Sequence, residues 1–67
     1  MKNSIKVERA KKNITQADLD CLAKVSRQTI NATESGKYAP LTILALILAS
    51  IFEVEVSEIF TLEDSDW

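Results

Sequence analysis

The amino-acid sequence predicts an all-α domain of five short helices. Three observations carry that prediction. Glycine and proline occur once each in 67 residues, too few for a sheet built from many hairpins. Apolar residues in the segment Leu41–Phe52 recur at helical spacing. Thr15 and Ser26 each stand just before a helical segment, where a side-chain oxygen can cap free backbone N–H groups.

The elements follow in order. A first helix runs from about Ser4 to Lys12, with Asn3 or Ser4 as its cap. Thr15 caps a second, about Gln16 to Ala23, with Leu19 and Leu22 as its apolar positions. Ile14 and Leu19 are spaced as a hydrophobic staple, one before the cap and one inside the helix. Lys24-Val25 makes a tight turn. Ser26 caps a third helix to about Glu34, whose inward residue is Ile30, and Gly36 suits its left-handed C-terminus. Pro40 opens a fourth helix through Phe52, and a fifth covers about Glu55 to Phe60. With no internal repeat and no dividing linker, residues 1–67 read as one domain ending in a polar tail, 61–67.

A chain this short buries only roughly 60% of its unfolded surface and is marginally stable alone. One cysteine and no histidine exclude a disulfide framework and disfavour structural zinc, leaving association with a partner as the remaining aid. The 46% apolar content supports a core and argues against disorder. Charge is polarised. Residues 1–40 hold eight bases and four acids (+4), whereas residues 41–67 hold six acids and no base (−6). Such a chain can turn a basic face to a phosphate backbone while its acidic end points away. The apolar run Leu41–Phe52 is twelve residues long, short of the ~20 that span a bilayer. A cytoplasmic location without membrane association is expected.

Enzyme chemistry is not expected. Histidine is absent, no glycine-rich phosphate loop is present, and Cys21 inside the second helix reads as a small buried hydrophobe. Glu53, Glu55 and Glu58 lack metal-loop spacing and suit a helix start. No cofactor, metal or small-molecule substrate is implied.

Residues 15–34 instead form two short helices joined by a tight turn, the second opening with polar side chains. In that arrangement the first helix braces the second, which enters a major groove ~12 Å wide. The second helix opens Arg27-Gln28-Thr29-Ile30-Asn31. Arginine can pair with guanine O6 and N7, and glutamine or asparagine with adenine N6 and N7. Arg27, Gln28 and Asn31 share roughly one outward arc, while Ile30 faces the brace.

Three segments, Thr15-Gln16-Ala17-Asp18-Leu19, Val25-Ser26-Arg27-Gln28-Thr29-Ile30-Asn31 and Glu34-Ser35-Gly36-Lys37-Tyr38-Ala39-Pro40, resemble the lambda-repressor/Cro-like (XRE) helix-turn-helix regulators. The likeness continues through Leu44-Ala45-Leu46, Ala49, Phe52 and Ile59–Asp64. It implies a compact five-helix lambda-repressor-like fold and a dimeric, sequence-specific regulator of double-stranded DNA. By the same resemblance Gln16 contacts phosphate and buttresses Gln28. Arg27, Gln28, Thr29 and Asn31 face the groove, Ser26 caps and touches phosphate, and Lys37 and Tyr38 touch backbone. Arg9 and Glu34 correspond to an ion pair tying the first helix to the third. Met1–Ile5 and Phe60–Asp64 correspond to segments that pair as a small antiparallel sheet.

The chain also departs from that pattern. Asp20 stands where a small residue is usual, Lys24 and Glu53 where glycine is usual. Glu8, Thr33 and Thr42 replace apolar residues. A carboxylate buried without a partner is costly, so Glu8 and Asp20 must pair with nearby bases, reach solvent, or mark a rearranged core. In the fourth helix Leu41, Leu44, Ala45, Leu48, Ile51 and Phe52 form an inward stripe, and Ile43, Ile47, Ser50 and Val54 a second one where charge is usual. These substitutions suggest a heavily substituted, even redesigned, member of the family. A helix apolar all round needs cover all round. Ile43 and Ile47 are therefore expected partner contacts. The resemblance implies a two-fold contact through the last helix and its flanks, here Val54, Val56, Ile59 and Leu62, and together these residues make the expected homodimer interface. The competing reading is a self-associating assembly module built on the fourth helix, with DNA binding weak or lost.

Overall fold

The computed structural model describes residues 1–67. Its elements are β1 (Lys2–Asn3), α1 (Ile5–Lys12), α2 (Gln16–Ala23), α3 (Arg27–Glu34), α4 (Thr42–Phe52), α5 (Val56–Ile59) and β2 (Phe60–Thr61), followed by a 3-10 turn at Asp64–Asp66. The five helices and the small antiparallel pairing are present. Lys2 lies opposite Thr61 and Asn3 opposite Phe60. The Met1 ammonium reaches Glu63 at 2.9 Å and Asp66 at 3.1 Å, so the acidic tail is held against β1.

Helix starts follow local chemistry. Thr15 Oγ1 accepts from the Asp18 N–H at 3.0 Å, and the Asp18 carboxylate accepts from the Thr15 N–H at 3.0 Å, a complete capping box. The Thr15 backbone N–H first, and the Thr15 hydroxyl beside it, hold the Asp18 carboxyl below its ordinary value. Ser26 Oγ accepts from the Thr29 N–H at 3.1 Å. Helix ends follow a second rule. Asn13, Lys24 and Glu53, with φ of 57°, 58° and 59°, and Gly36, with φ of 82°, all adopt the left-handed conformation. After each, the next N–H returns into the last turn: Val25 to the Asp20 carbonyl at 3.1 Å, Lys37 to that of Ala32 at 3.1 Å. Lys24 and Glu53 do this against the steric preference of a side chain.

All five helices contribute to one core, comprising Ile5, Leu19, Ala23, Ile30, Leu44, Leu48, Ala49, Phe52 and Ile59. The α4 helix is its hub, contacting α1, α2 and α5, whereas α3 rests chiefly on α2. Each polar residue placed in or near the core has a partner. Glu8 meets Lys11 at 3.2 Å, Asp20 meets Arg27 at 3.0 Å, and Thr33 Oγ1 donates to the Thr29 carbonyl at 2.7 Å. The substituted positions therefore fit the five-helix frame without rearranging it.

Several side chains face the other way from the sequence reading. Cys21 is exposed, so it is not a buried small hydrophobe. Leu22 is 56% exposed, because α2 buries Leu19 and Ala23, and position 22 falls off that i, i+4 line. Leu41, 73% exposed, lies outside the inward stripe because α4 begins only at Thr42, with Leu41 as its extended N-cap.

Candidate nucleic-acid interface

The α3 helix is fixed on its inner side and free on its outer side. Ile30 is fully buried and Thr33 nearly so. Burying an isoleucine stabilises the contact between α3 and its brace by about 1.5–3 kcal/mol. Two further ties secure its C-terminal end. Arg9 donates through Nε and a terminal nitrogen to both Glu34 oxygens, at 3.0 and 2.8 Å, and through its other terminal nitrogen to the Ile14 carbonyl at 3.2 Å. Glu34 in turn holds the Arg9 guanidinium above its ordinary value. Asn3 Nδ2 donates to the carbonyls of Thr33 and Glu34 at 2.9 and 3.3 Å, so β1 caps the helix. Loop, strand and first helix thus converge on Glu34.

On the outer side Arg27, Gln28 and Asn31 are exposed. Ser26, Gln28, Thr29 and Tyr38 line one shallow cleft between α3 and the following loop, of about 200 Å³. Lys37 projects from that loop, exposed. Thr29 is half-buried and its hydroxyl is 2.9 Å from that of Ser26, so it is partly engaged by the cap. Gln16, at the start of α2, is half-buried and makes no hydrogen bond with Gln28 in the free chain. Arg27 Nε donates to Asp20 Oδ2 on α2 at 3.0 Å. The outer surface is polar and carries donors and acceptors at the opening of a helix.

A second surface flanks α4. Ile43 is 73% and Leu46 56% exposed, while Ile47, Val54 and Val56 are half-buried. One groove, of about 500 Å³, is lined by Val25, Tyr38, Leu41, Ile43 and Ile47 among others. Another, of about 320 Å³ on the opposite flank, is lined by Pro40, Ala45, Leu46, Val56 and Phe60 among others. Leu46 escaped the sequence reading, since an almost wholly apolar helix gives no polar face to set its phase. Ile59 corrects that reading in the opposite sense. It is 1% exposed, packed in the chain's own core, so it is not an interface contact. Leu62, just past β2, is exposed.

Two helices at a capped corner, the second carrying a free polar face, define a helix-turn-helix DNA-binding domain. The helix-turn-helix family model matches residues 5–59, and the chain belongs to that family, the XRE-type helix-turn-helix proteins. An HTH-type transcriptional regulator of Methanocaldococcus jannaschii is 48% identical over 66 residues, covering 98% of this chain and all of the relative. One from Bacillus subtilis is 36% identical with the same coverage, and one from Archaeoglobus fulgidus is 38% identical over 98% of this chain and 93% of its own length. The family consists of DNA-binding regulators rather than enzymes. No helix is long and apolar enough to cross a membrane.

Proposed function

We propose that the protein binds double-stranded DNA sequence-specifically, as a homodimeric cytoplasmic transcription regulator with α3 in the major groove. The observation that carries this reading is the free outer face of α3. Arg27, Gln28 and Asn31 are exposed beside one another on a helix whose inner side is anchored by Ile30. Those side chains read base edges. Ser26, Lys37, Tyr38 and Gln16 contact the sugar–phosphate backbone around them, and the half-engaged Thr29 approaches the groove wall. Two copies meet through the apolar flanks of α4 and its surroundings (Ile43, Ile47, Val54, Val56 and Leu62, with Leu46), which sets two recognition helices on half-sites about 34 Å apart.

Selection from randomised duplexes tests the reading. A two-fold symmetric site should be enriched, with affinity falling steeply as salt rises. Enrichment of no sequence at modest salt overturns it. The alternative, an assembly module that no longer reads DNA, is favoured by one observation, the exposure of Leu41 and Ile43 beside a 500 Å³ groove. Sedimentation of Ile43→Lys with Leu46→Glu tests the α4 interface that both readings share, and the duplex selection separates them. Both positions are solvent-facing, so the variant should fold as a monomer, and an unchanged sedimentation coefficient would remove α4 from the interface.

A further inference from the structure

Asp20 occupies the crossing of α2 and α3, and its carboxylate is only 14% exposed. It accepts from Arg27 Nε at 3.0 Å, while the Arg27 side chain remains 61% exposed. Arg27 is the first residue of α3, one position past the cap, where groove-facing side chains approach bases. The bond spends only the Nε–H. The remaining four N–H donors, on the two terminal nitrogens, make no hydrogen bond within the chain. An arginine held by its Nε presents those two nitrogens end-on, as a fork, and the matching acceptor pair on a base edge is guanine O6 and N7.

Resting on the DNA-binding reading above, we propose that Asp20 is a positioning residue that determines base specificity, aiming Arg27 at a guanine through the Asp20–Arg27 bridge. An unrestrained arginine samples many rotamers and can settle on a phosphate as readily as on a base. The bridge removes most of those alternatives. It also places a negative charge close to the phosphates, which weakens binding to every sequence equally. Asp20 therefore exchanges general affinity for discrimination at one base pair. The neighbouring readers Gln28 and Asn31 have no such tether, so the effect is confined to the Arg27 position.

The experiment begins with wild-type selection, and Arg27→Ala then identifies the base pair whose preference depends on that side chain. Asp20→Ala and Asp20→Asn are titrated against the selected duplex and duplexes altered at single positions. Asp20→Ala places a good helix former at a half-buried site and should keep the fold. It should lower discrimination at the Arg27-dependent pair about three- to tenfold, a fraction of what a bidentate pair supplies, and should bind unrelated duplex more tightly. Asp20→Asn keeps an acceptor oxygen for Nε and should retain most of the discrimination. Arg27→Lys, which keeps the charge but lacks the fork, should lose it. Wild-type discrimination in Asp20→Ala, or an equal loss at pairs indifferent to Arg27→Ala, overturns the proposal and leaves DNA binding standing. Absence of any enriched sequence for the wild type overturns both.

Discussion

The third and fourth helices are built on opposite plans. The α4 helix is a hub. It buries Leu44, Leu48, Ala49 and Phe52 and contacts α1, α2 and α5, and its hydrogen-bonded ends involve no side-chain cap. The α3 helix is an outrigger. It buries only Ile30 and Thr33 and is positioned from outside, by the Ser26 cap, the Arg9–Glu34 pair and the Asn3 bonds. The difference shows two ways of fixing a helix. Apolar burial fixes α4 and consumes much of its surface. Directional polar contacts fix α3 at its two ends and leave the middle of its outer face free for a ligand.

The contrast can be broken at either helix. The largest effect belongs to the hub. Leu48→Ala removes a fully buried side chain and should cost about 2–5 kcal/mol, unfolding much of the population of so small a domain as followed by thermal or urea denaturation. On α3, Gln28→Ala should leave the melting temperature within error and weaken the selected duplex by about 1–3 kcal/mol against its single-base variants. Equal destabilisation by both substitutions would mean that α3 is not the outrigger described. Next come the caps. Thr15→Ala opens the capping box at the start of α2, the brace of α3, and should cost about 1 kcal/mol.

The same box sets an acid limit. The Asp18 carboxyl is held below its ordinary value by the Thr15 bonds. Its contribution is therefore complete above the ordinary carboxylate range and disappears as pH falls through the lowered value. Unfolding measured between pH 5 and pH 2 should lose that portion of its slope in Asp18→Asn. The smallest effect is a gain. Lys24→Gly at φ 58° relieves a left-handed side chain and should stabilise the protein by up to about 1 kcal/mol, seen as a raised melting temperature.

Much of this arrangement is legible in the residues because it is local. Thr15 and Ser26 announce helix starts within three residues of the N–H groups they cap, and Gly36 announces a stop. Ile30 is the lone large aliphatic residue in α3, so its inward orientation follows. Side chains whose direction depends on helix phase are not fixed by their neighbours in sequence. In an eight-residue helix such as α2, Leu22 and Leu19 look equivalent until Ala23, four residues from Leu19, reveals the buried line. The same ambiguity hid Leu46 in α4. Ile59 belongs to a four-residue helix with too few turns for any period, and only its packing into the folded core decides that it is buried. Of the candidate interface, the polar groups of α3 could be read from the sequence, whereas the tether from Asp20 to Arg27 required three dimensions to identify its partner.

The pairing of β1 with β2 has a consequence for synthesis. Lys2 and Asn3 are made well before Phe60 and Thr61, against which they settle, and Ser4 waits for the Ile59 carbonyl. Asn3 also steadies the end of α3, so the outer face of α3 is fully supported only once residues 60–61 are free to pair with β1. A chain cut short inside α4 would lack the strand that seats β1 and the Ile59 side chain that completes the core, leaving apolar surface bare to chaperones and proteases.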